Sequence, residues 1–231
     1  MSSRGTGLTL MAVVIGLIGY FMFQSAIGLN TKADDIPTIL ANSSSGSLNM
    51  TIGFILVAIG ITVHGAGLLS TRGTAAGTSE SLGIYCIMTA IIIWVASISL
   101  GFATIEMGDS FVAASAGAAA GNAAAAAAAG SIAVAGGALQ ATNVAAGTIG
   151  NLLAGIGWIC IGWAYRGNDV KGALSFIPLS WLAILAGLIL VVANLVINQV
   201  ASTELASNIS GISFILITLW CLSRGVALMR A

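Results

Sequence analysis

Charged side chains are scarce in this chain. Seven Lys or Arg and seven Asp or Glu stand among 231 residues, 6% in all, where an average soluble domain has about 25%. So few charges cannot cover a water-soluble fold of this size. A hydrophobic content of 58% excludes intrinsic disorder, which needs the opposite balance. No run of Lys or Arg is present, which removes nucleic acid from the expected partners. A single histidine, His64, excludes bis-histidine haem ligation within the chain and any His-rich copper or zinc site. The three cysteines, Cys86, Cys160 and Cys221, lie in apolar runs without CxxC spacing. They read as buried thiols, not as a disulfide framework or a metal site.

Other absences concern the apolar segments themselves. No lysine falls inside one, which excludes a retinal Schiff base. No Asp or Glu falls in the middle of one, so the carboxylate that ion-coupled carriers commonly hold there is missing. The stretch NISGISF at 208–214 has the glycine and serine of an intramembrane serine protease, but no histidine follows it. Neither proline interrupts a segment: Pro37 is in a connection and Pro178 is near a helix start.

What is present is apolar length. A spanning helix needs roughly 20 apolar residues, and six segments qualify: 8–28, 50–70, 83–105, 147–165, 174–197 and 208–228. The first follows Arg4 but is long for a signal-peptide core and lacks a small-residue cleavage site, so it is expected to be retained. The sequence therefore predicts an all-α integral membrane protein, one polytopic domain over residues 1–231 built as a six-helix bundle.

Six spans put both termini on one side, and the basic residues sort with them. Arg4, Arg72, Arg166, Lys171, Arg224 and Arg230 fall on the side of the termini, and Lys32 alone falls opposite. Positive residues favour the cytoplasm, which predicts cytoplasmic termini in what is expected to be a cytoplasmic membrane. Asp34, Asp35, Glu106, Asp109 and Glu204 fall outside, Glu80 and Asp169 inside. Tyr85, Trp158, Trp163, Tyr165, Trp181 and Trp220 gather in the cytoplasmic half and read as an interfacial aromatic belt.

Between the third and fourth spans lies an Ala/Gly-rich tract, residues 111–146, with Ala123 to Ala129 unbroken. Alanine is the strongest helix former, so the tract should be largely helical. A single crossing by it would carry Arg166, Lys171, Arg224 and Arg230 outside and invert the charge rule. It therefore crosses zero times or twice, and zero is the expectation, with the third span extended outward, a turn near Gly130, and a return into the fourth. Its lack of charge suggests a surface buried against the protein itself or a partner; the plainer alternative is a low-complexity spacer. The other outer connection, residues 29–48, reads as a polar loop. It carries Asn42-Ser43-Ser44, a match to the glycan acceptor pattern, and Asn49-Met50-Thr51 follows it closely.

Candidate chemistry is thin. His64 is the one weak candidate for holding a cofactor, against a plain role as a packed, hydrogen-bonded histidine. Gln24, Asn151, Asn194 and Asn198 gather towards the outer leaflet, as interhelical hydrogen bonds or as a polar vestibule for a small solute. Glu106 and Asp109, three apart, share a face if their helix continues, as a cation or docking site or as solvated edge carboxylates. Small-residue pairs such as Ala12/Gly16, Gly150/Ala154 and Ala183/Gly187 permit close helix packing. No cofactor is evident, although a pigment or lipid supplied with a partner is permitted. Two functions follow. The first is a non-catalytic structural or accessory subunit of a larger membrane complex, with the bilayer and other integral subunits as partners. The alternative is a channel or carrier for a small neutral solute, although residues 8–105 and 147–228 show no inverted repeat. An enzyme is the least expected class, and would borrow its cofactor or ligands from a partner.

Overall fold

Runs rich in Ala and Leu with no internal proline favour the helix, which satisfies the backbone within the run itself. In the computed structural model, which describes residues 3–75, 77–167, 170, 172–174 and 177–231, the helices are α1 (Ser3–Met11), α2 (Val13–Ile27), α3 (Ile36–Ser45), α4 (Ser47–Ser70), α5 (Thr78–Ala119), α6 (Ala123–Tyr165) and α7 (Leu179–Val192). A π-helical turn, Ala193–Ile197, leads into the short α8 (Asn198–Val200), and α9 (Thr203–Arg230) closes the chain. No strand occurs among the described residues. Six helical rods are long and apolar enough to cross a membrane: α1 with α2, α4, α5, α6, α7 with α8, and α9. Asp169 and Lys171 lie outside the described residues, as do residues 175 and 176 of the segment 174–197.

The rods form a ring in chain order. Each packs on its predecessor and successor, and α9 returns to α1. The contacts are close because glycine faces glycine. A Cβ on Gly83 of α5 would lie 2.7 Å from the Gly157 carbonyl oxygen of α6, and one on Gly157 would lie 2.7 Å from that of Gly83. Gly155 and Gly187 pair α6 with α7 in the same way, and Gly7 and Gly225 pair α1 with α9. Gly53 of α4 meets the backbone of Gly19 and Phe23 of α2. Of the small-residue pairs read from the sequence, Gly16 and Gly187 lie in such contacts, whereas Gly150 faces the Trp94 indole. Serine and threonine hydroxyls inside the rods donate back to carbonyls three or four residues earlier, as Thr104 does to Leu100 and Thr148 to Val144. They leave few free donors on apolar faces.

Two rods are much longer than the rest. At 1.5 Å per residue, α5 and α6 each extend about 63 Å, twice the roughly 30 Å of a hydrocarbon core. They run antiparallel, and residues 111–146 form their far ends and the turn between them. That turn is at Gly121, nine residues before the expected Gly130, for a reason local to the chain. Gly121 takes a positive φ of 83°. Its N–H donates to the Ala118 carbonyl and that of Asn122 to the Gly117 carbonyl, the Schellman closure of a helix end. The Asn122 side chain then caps α6 by accepting from the Ala124 and Ala125 N–H groups. Gly130, with no capping neighbour, remains in mid-helix.

The polar connection 29–48 is also corrected, since it contains α3. Asp35 caps that helix through the Thr38 N–H, and Pro37 sits in its first turn. The α3 rod packs against the extended α5, where a Cβ on Gly108 would lie 2.5 Å from the Leu40 carbonyl oxygen. Asn42 lies within α3 and donates its Nδ2 to the Ile27 carbonyl at 2.7 Å, so the atom a glycan would modify is already engaged.

The aromatic belt divides in two. Tyr85, Trp163 and Trp181 are exposed, and Arg166 lies 5.0 Å over the rings of both tryptophans. Trp158, Tyr165 and Trp220 are buried. Trp158 meets Trp220 edge-on at 5.0 Å, and the Trp220 indole donates to the Leu179 carbonyl at 3.0 Å. These three rings form a plug near the end of the ring where the termini lie. The outward faces of the rods carry exposed Ile, Leu and Val, including Ile18, Ile59, Ile92, Ile156, Leu185 and Leu219.

Candidate functional site

The ring encloses a cavity of about 560 Å³, within the usual size of a small-molecule site. It is described below by its two ends: the terminal end, near both chain termini, and the hairpin end, from which α5 and α6 project.

Towards the hairpin end its wall is amide-rich. Gln24 of α2, Asn143 and Asn151 of α6, Asn194 and Asn198 of the α7 rod and Asn208 of α9 all line it. The four polar residues grouped from the sequence are thus brought together. Asn194 anchors them: it is buried, accepts from Asn151 Nδ2 at 3.2 Å, and donates to the Leu190 carbonyl at 2.9 Å and to Ser210 Oγ at 3.2 Å. Gln24 instead reaches Tyr20, its Nε2 lying 3.1 Å from the phenol oxygen. Asn198 Oδ1 is shielded and has no hydrogen-bond partner among the described residues, and neither does Ser97 Oγ on the same cavity wall. Shielded polar atoms of this kind are uncommon in folded proteins.

The π turn lies at this level. It widens the helix by one residue per turn, a distortion frequent at binding sites, and places Asn194 and Asn198 in one wall.

Deeper in, the lining turns apolar: Ile61, Ile87, Ile91, Phe214 and Ile217, with Trp94 and Trp158. Trp94 stands edge-on to Phe214 at 5.7 Å and occupies the space left by the missing side chain of Gly150. His64 forms part of the floor. It is buried, with Nδ1 3.2 Å from the Leu10 carbonyl oxygen and its ring stacked 6.4 Å from Trp158. The carbonyl can only accept, so Nδ1 carries a proton. Cys221 Sγ lies 3.7 Å from the same Nδ1. Below His64 the bundle is filled by Leu10, Leu68, Tyr165 and Trp220, all buried. The cavity is a dead end on that side.

Glu204 is the one charged residue among the described residues that line the cavity, and it stands at the hairpin end. Its Oε1 accepts from the Ala33 N–H at 2.9 Å, tying the α2–α3 connection to the start of α9. No Lys or Arg is among the described lining residues. The site suits an uncharged molecule that offers hydrogen bonds at one end.

The acidic pair does not share a task. Helix α5 continues through both residues, but Asp109 accepts from Ser44 Oγ at 2.6 Å and so fastens α3. Glu106 is exposed beside Ser131 and Ile132 of α6. Among the described residues no three His, Cys, Asp or Glu side chains converge as metal ligands. Glu80, read from the sequence only as an inner charge, is buried at the terminal end and binds the Gly73 N–H at 2.6 Å and the Ala75 N–H at 3.2 Å. It caps the α4–α5 turn.

Sequence reasoning missed Tyr20, Trp94, Gln140 and Asn143 as lining residues. For Gln140 and Asn143 the signal was present: with Asn122 they are the three amides of the Ala/Gly tract, and these two fall one helical turn apart on one face. No protein-family model, curated protein or solved structure matches this chain.

Proposed function

We propose that this chain crosses a bilayer six times, with both termini cytoplasmic, and binds a small uncharged amphiphile in its central cavity. Insertion is supported by the exposed aliphatic faces of six apolar rods. Orientation is supported by Arg4, Arg72, Arg166, Arg224 and Arg230 at the terminal end against Lys32 at the other. It is checked by labelling Ala120→Cys, in the hairpin turn, with a membrane-impermeant maleimide on intact cells. Labelling only after lysis would reverse the orientation.

The observation that carries the binding reading is the polarity of the cavity: an amide collar above an aromatic and aliphatic floor, with no Lys or Arg among the described lining residues. A dead-end cavity of this kind favours binding or carriage over conduction by an open channel. The test uses a pyrene-labelled fatty alcohol and the purified chain. Energy transfer from tryptophan to pyrene should saturate, be displaced by the unlabelled alcohol, and weaken by about tenfold or more in Asn194→Leu, the cost of one or two bonds in the collar. Transfer that never saturates would overturn the reading.

A second reading, an accessory subunit of a larger membrane assembly, is favoured by the projecting ends of α5 and α6. Their alanines are largely exposed between residues 120 and 131, and an uncharged surface of that size suits contact with a neighbouring subunit. Because the hairpin folds at Gly121, a clean test removes matched lengths: residues 110–116 from one arm and 125–131 from the other, about two helical turns each. Loss of co-purifying membrane proteins with cavity binding retained supports this role. Unchanged co-purification refutes it.

A further inference from the structure

We propose that the amphiphile enters sideways, from the leaflet on the hairpin side, through a gap between α2 and α9. This rests on the binding reading above.

The ring is closed unevenly. At the terminal end α1 and α9 meet backbone to backbone at Gly7 and Gly225. Farther up, α2 and α9 diverge. They are bridged by Tyr20 and Phe214, edge-on at 5.8 Å, and near the top by the Ala33 to Glu204 hydrogen bond. Between those two bridges the cavity wall runs out onto the protein surface. Phe21 of α2 and Ile212 and Ile215 of α9 line the cavity, yet are 49%, 53% and 43% exposed. A large apolar side chain that borders the cavity and faces outward at once marks the rim of an opening, and this rim is apolar. Gly211 lies in the same rim, and a Cβ there would meet nothing within 4 Å.

The internal polarity of the cavity fits this route. Read from the hairpin end, it passes from amides to isoleucine, phenylalanine and tryptophan. The outer leaflet changes in the same sense, from headgroups to chain ends. An amphiphile moving laterally keeps its head level with Asn194 and Asn198 and its tail towards Trp94 and Ile91, without turning over. The absence of Lys and Arg from the described lining residues disfavours a phosphate head, and a volume of about 560 Å³ suits one chain better than two. The class is thus a single-chain, uncharged lipid with a hydroxyl or carbonyl head.

The test follows loading over time. The full chain is reconstituted in phosphatidylcholine vesicles and mixed with vesicles carrying the pyrene-labelled fatty alcohol, and tryptophan-to-pyrene transfer is recorded. Gly211→Phe fills the rim without a backbone clash. It should slow loading by about tenfold or more while leaving equilibrium binding in detergent unchanged. Phe214→Ala removes the lower bridge; because Phe214 also lines the cavity, its loading rate is read against its own equilibrium affinity in detergent, and loading should speed by more than that affinity changes, which keeps the test decisive if Gly211→Phe fails to fold. Wild-type loading rates in both variants, with binding retained, would overturn lateral entry, and a slow Asn143→Phe variant would then place the entrance at the aqueous mouth. Absence of saturable binding in every form, wild type included, would instead remove the binding reading itself.

Discussion

Replacing Gly83 with alanine adds one methyl group where α5 and α6 cross. The new Cβ would stand 2.7 Å from the Gly157 carbonyl oxygen and 2.8 Å from Ile161 Cγ1. That is roughly 0.7 Å inside the ~3.4 Å at which carbon and oxygen ordinarily touch, and the nearer obstacle is backbone that cannot rotate away. The two rods must therefore separate along a contact that also holds Ile87 and Ile161, both buried. Overpacking of this kind costs about 1–3 kcal/mol. Better helix propensity returns up to about 1 kcal/mol, so a net loss of roughly 1–2 kcal/mol is expected. For a chain of this length that is a fall in Tm of about 2–8 °C, read by thermal unfolding in a mild detergent. Gly147→Ala is the control, because a Cβ there meets nothing within 4 Å; it should match or slightly exceed the wild-type Tm. The double variant Gly83→Ala/Gly157→Ala should cost less than the sum of the singles, since one separation relieves both clashes. If Gly83→Ala melts with Gly147→Ala, the rods do not approach this closely and the reasoning fails.

Three further outcomes are expected. Glu80→Ala leaves the Gly73 and Ala75 N–H groups without their acceptor and should cost about 1–3 kcal/mol, with faster hydrogen exchange confined to the α4–α5 turn; uniform exchange across the bundle would contradict the local capping role. Trp220→Phe removes the bond to the Leu179 carbonyl and part of the plug, so it should lower the Tm by more than Trp181→Phe, whose ring is exposed; equal effects would contradict the plug. Asn42 should remain unmodified when the chain is expressed in cells that attach N-glycans, because its Nδ2 is held by Ile27; a mass shift removed by Asn42→Gln would contradict this.

The rods were legible in the sequence because a membrane-length apolar run has few other solutions. Their ends were not. Residues 83–105 and 147–165 are stretches of rods that run on to Ala119 and begin at Ala123, since alanine continues a helix whether or not lipid surrounds it. The turn was placed at Gly130 because a glycine after seven alanines looks like a break. Gly121 prevails through Asn122, whose cap supplies what an isolated glycine lacks. The amide group was legible by type and depth, as Gln24, Asn151, Asn194 and Asn198 share one cavity. What it surrounds was not, because a cavity is a property of the whole ring. Trp158, Tyr165 and Trp220 were read as a belt for the same reason: sequence depth says how far along a rod a ring sits, and not whether it faces out.

The uneven ring also constrains how the molecule is made. The helix that closes it, α9, is made after the other described helices, and its partner α1 before them. Until α9 arrives, the Gly7 face of α1 has no mate and the cavity is open on one side. Contacts between the two ends of a chain carry the largest loop-closure cost and form late. Pairs such as α5 with α6, adjacent in sequence, can form while synthesis continues. A nascent chain stalled before α9 would therefore hold an open crescent, with the amides of its cavity uncovered. Completion of the ring and enclosure of the cavity are one event.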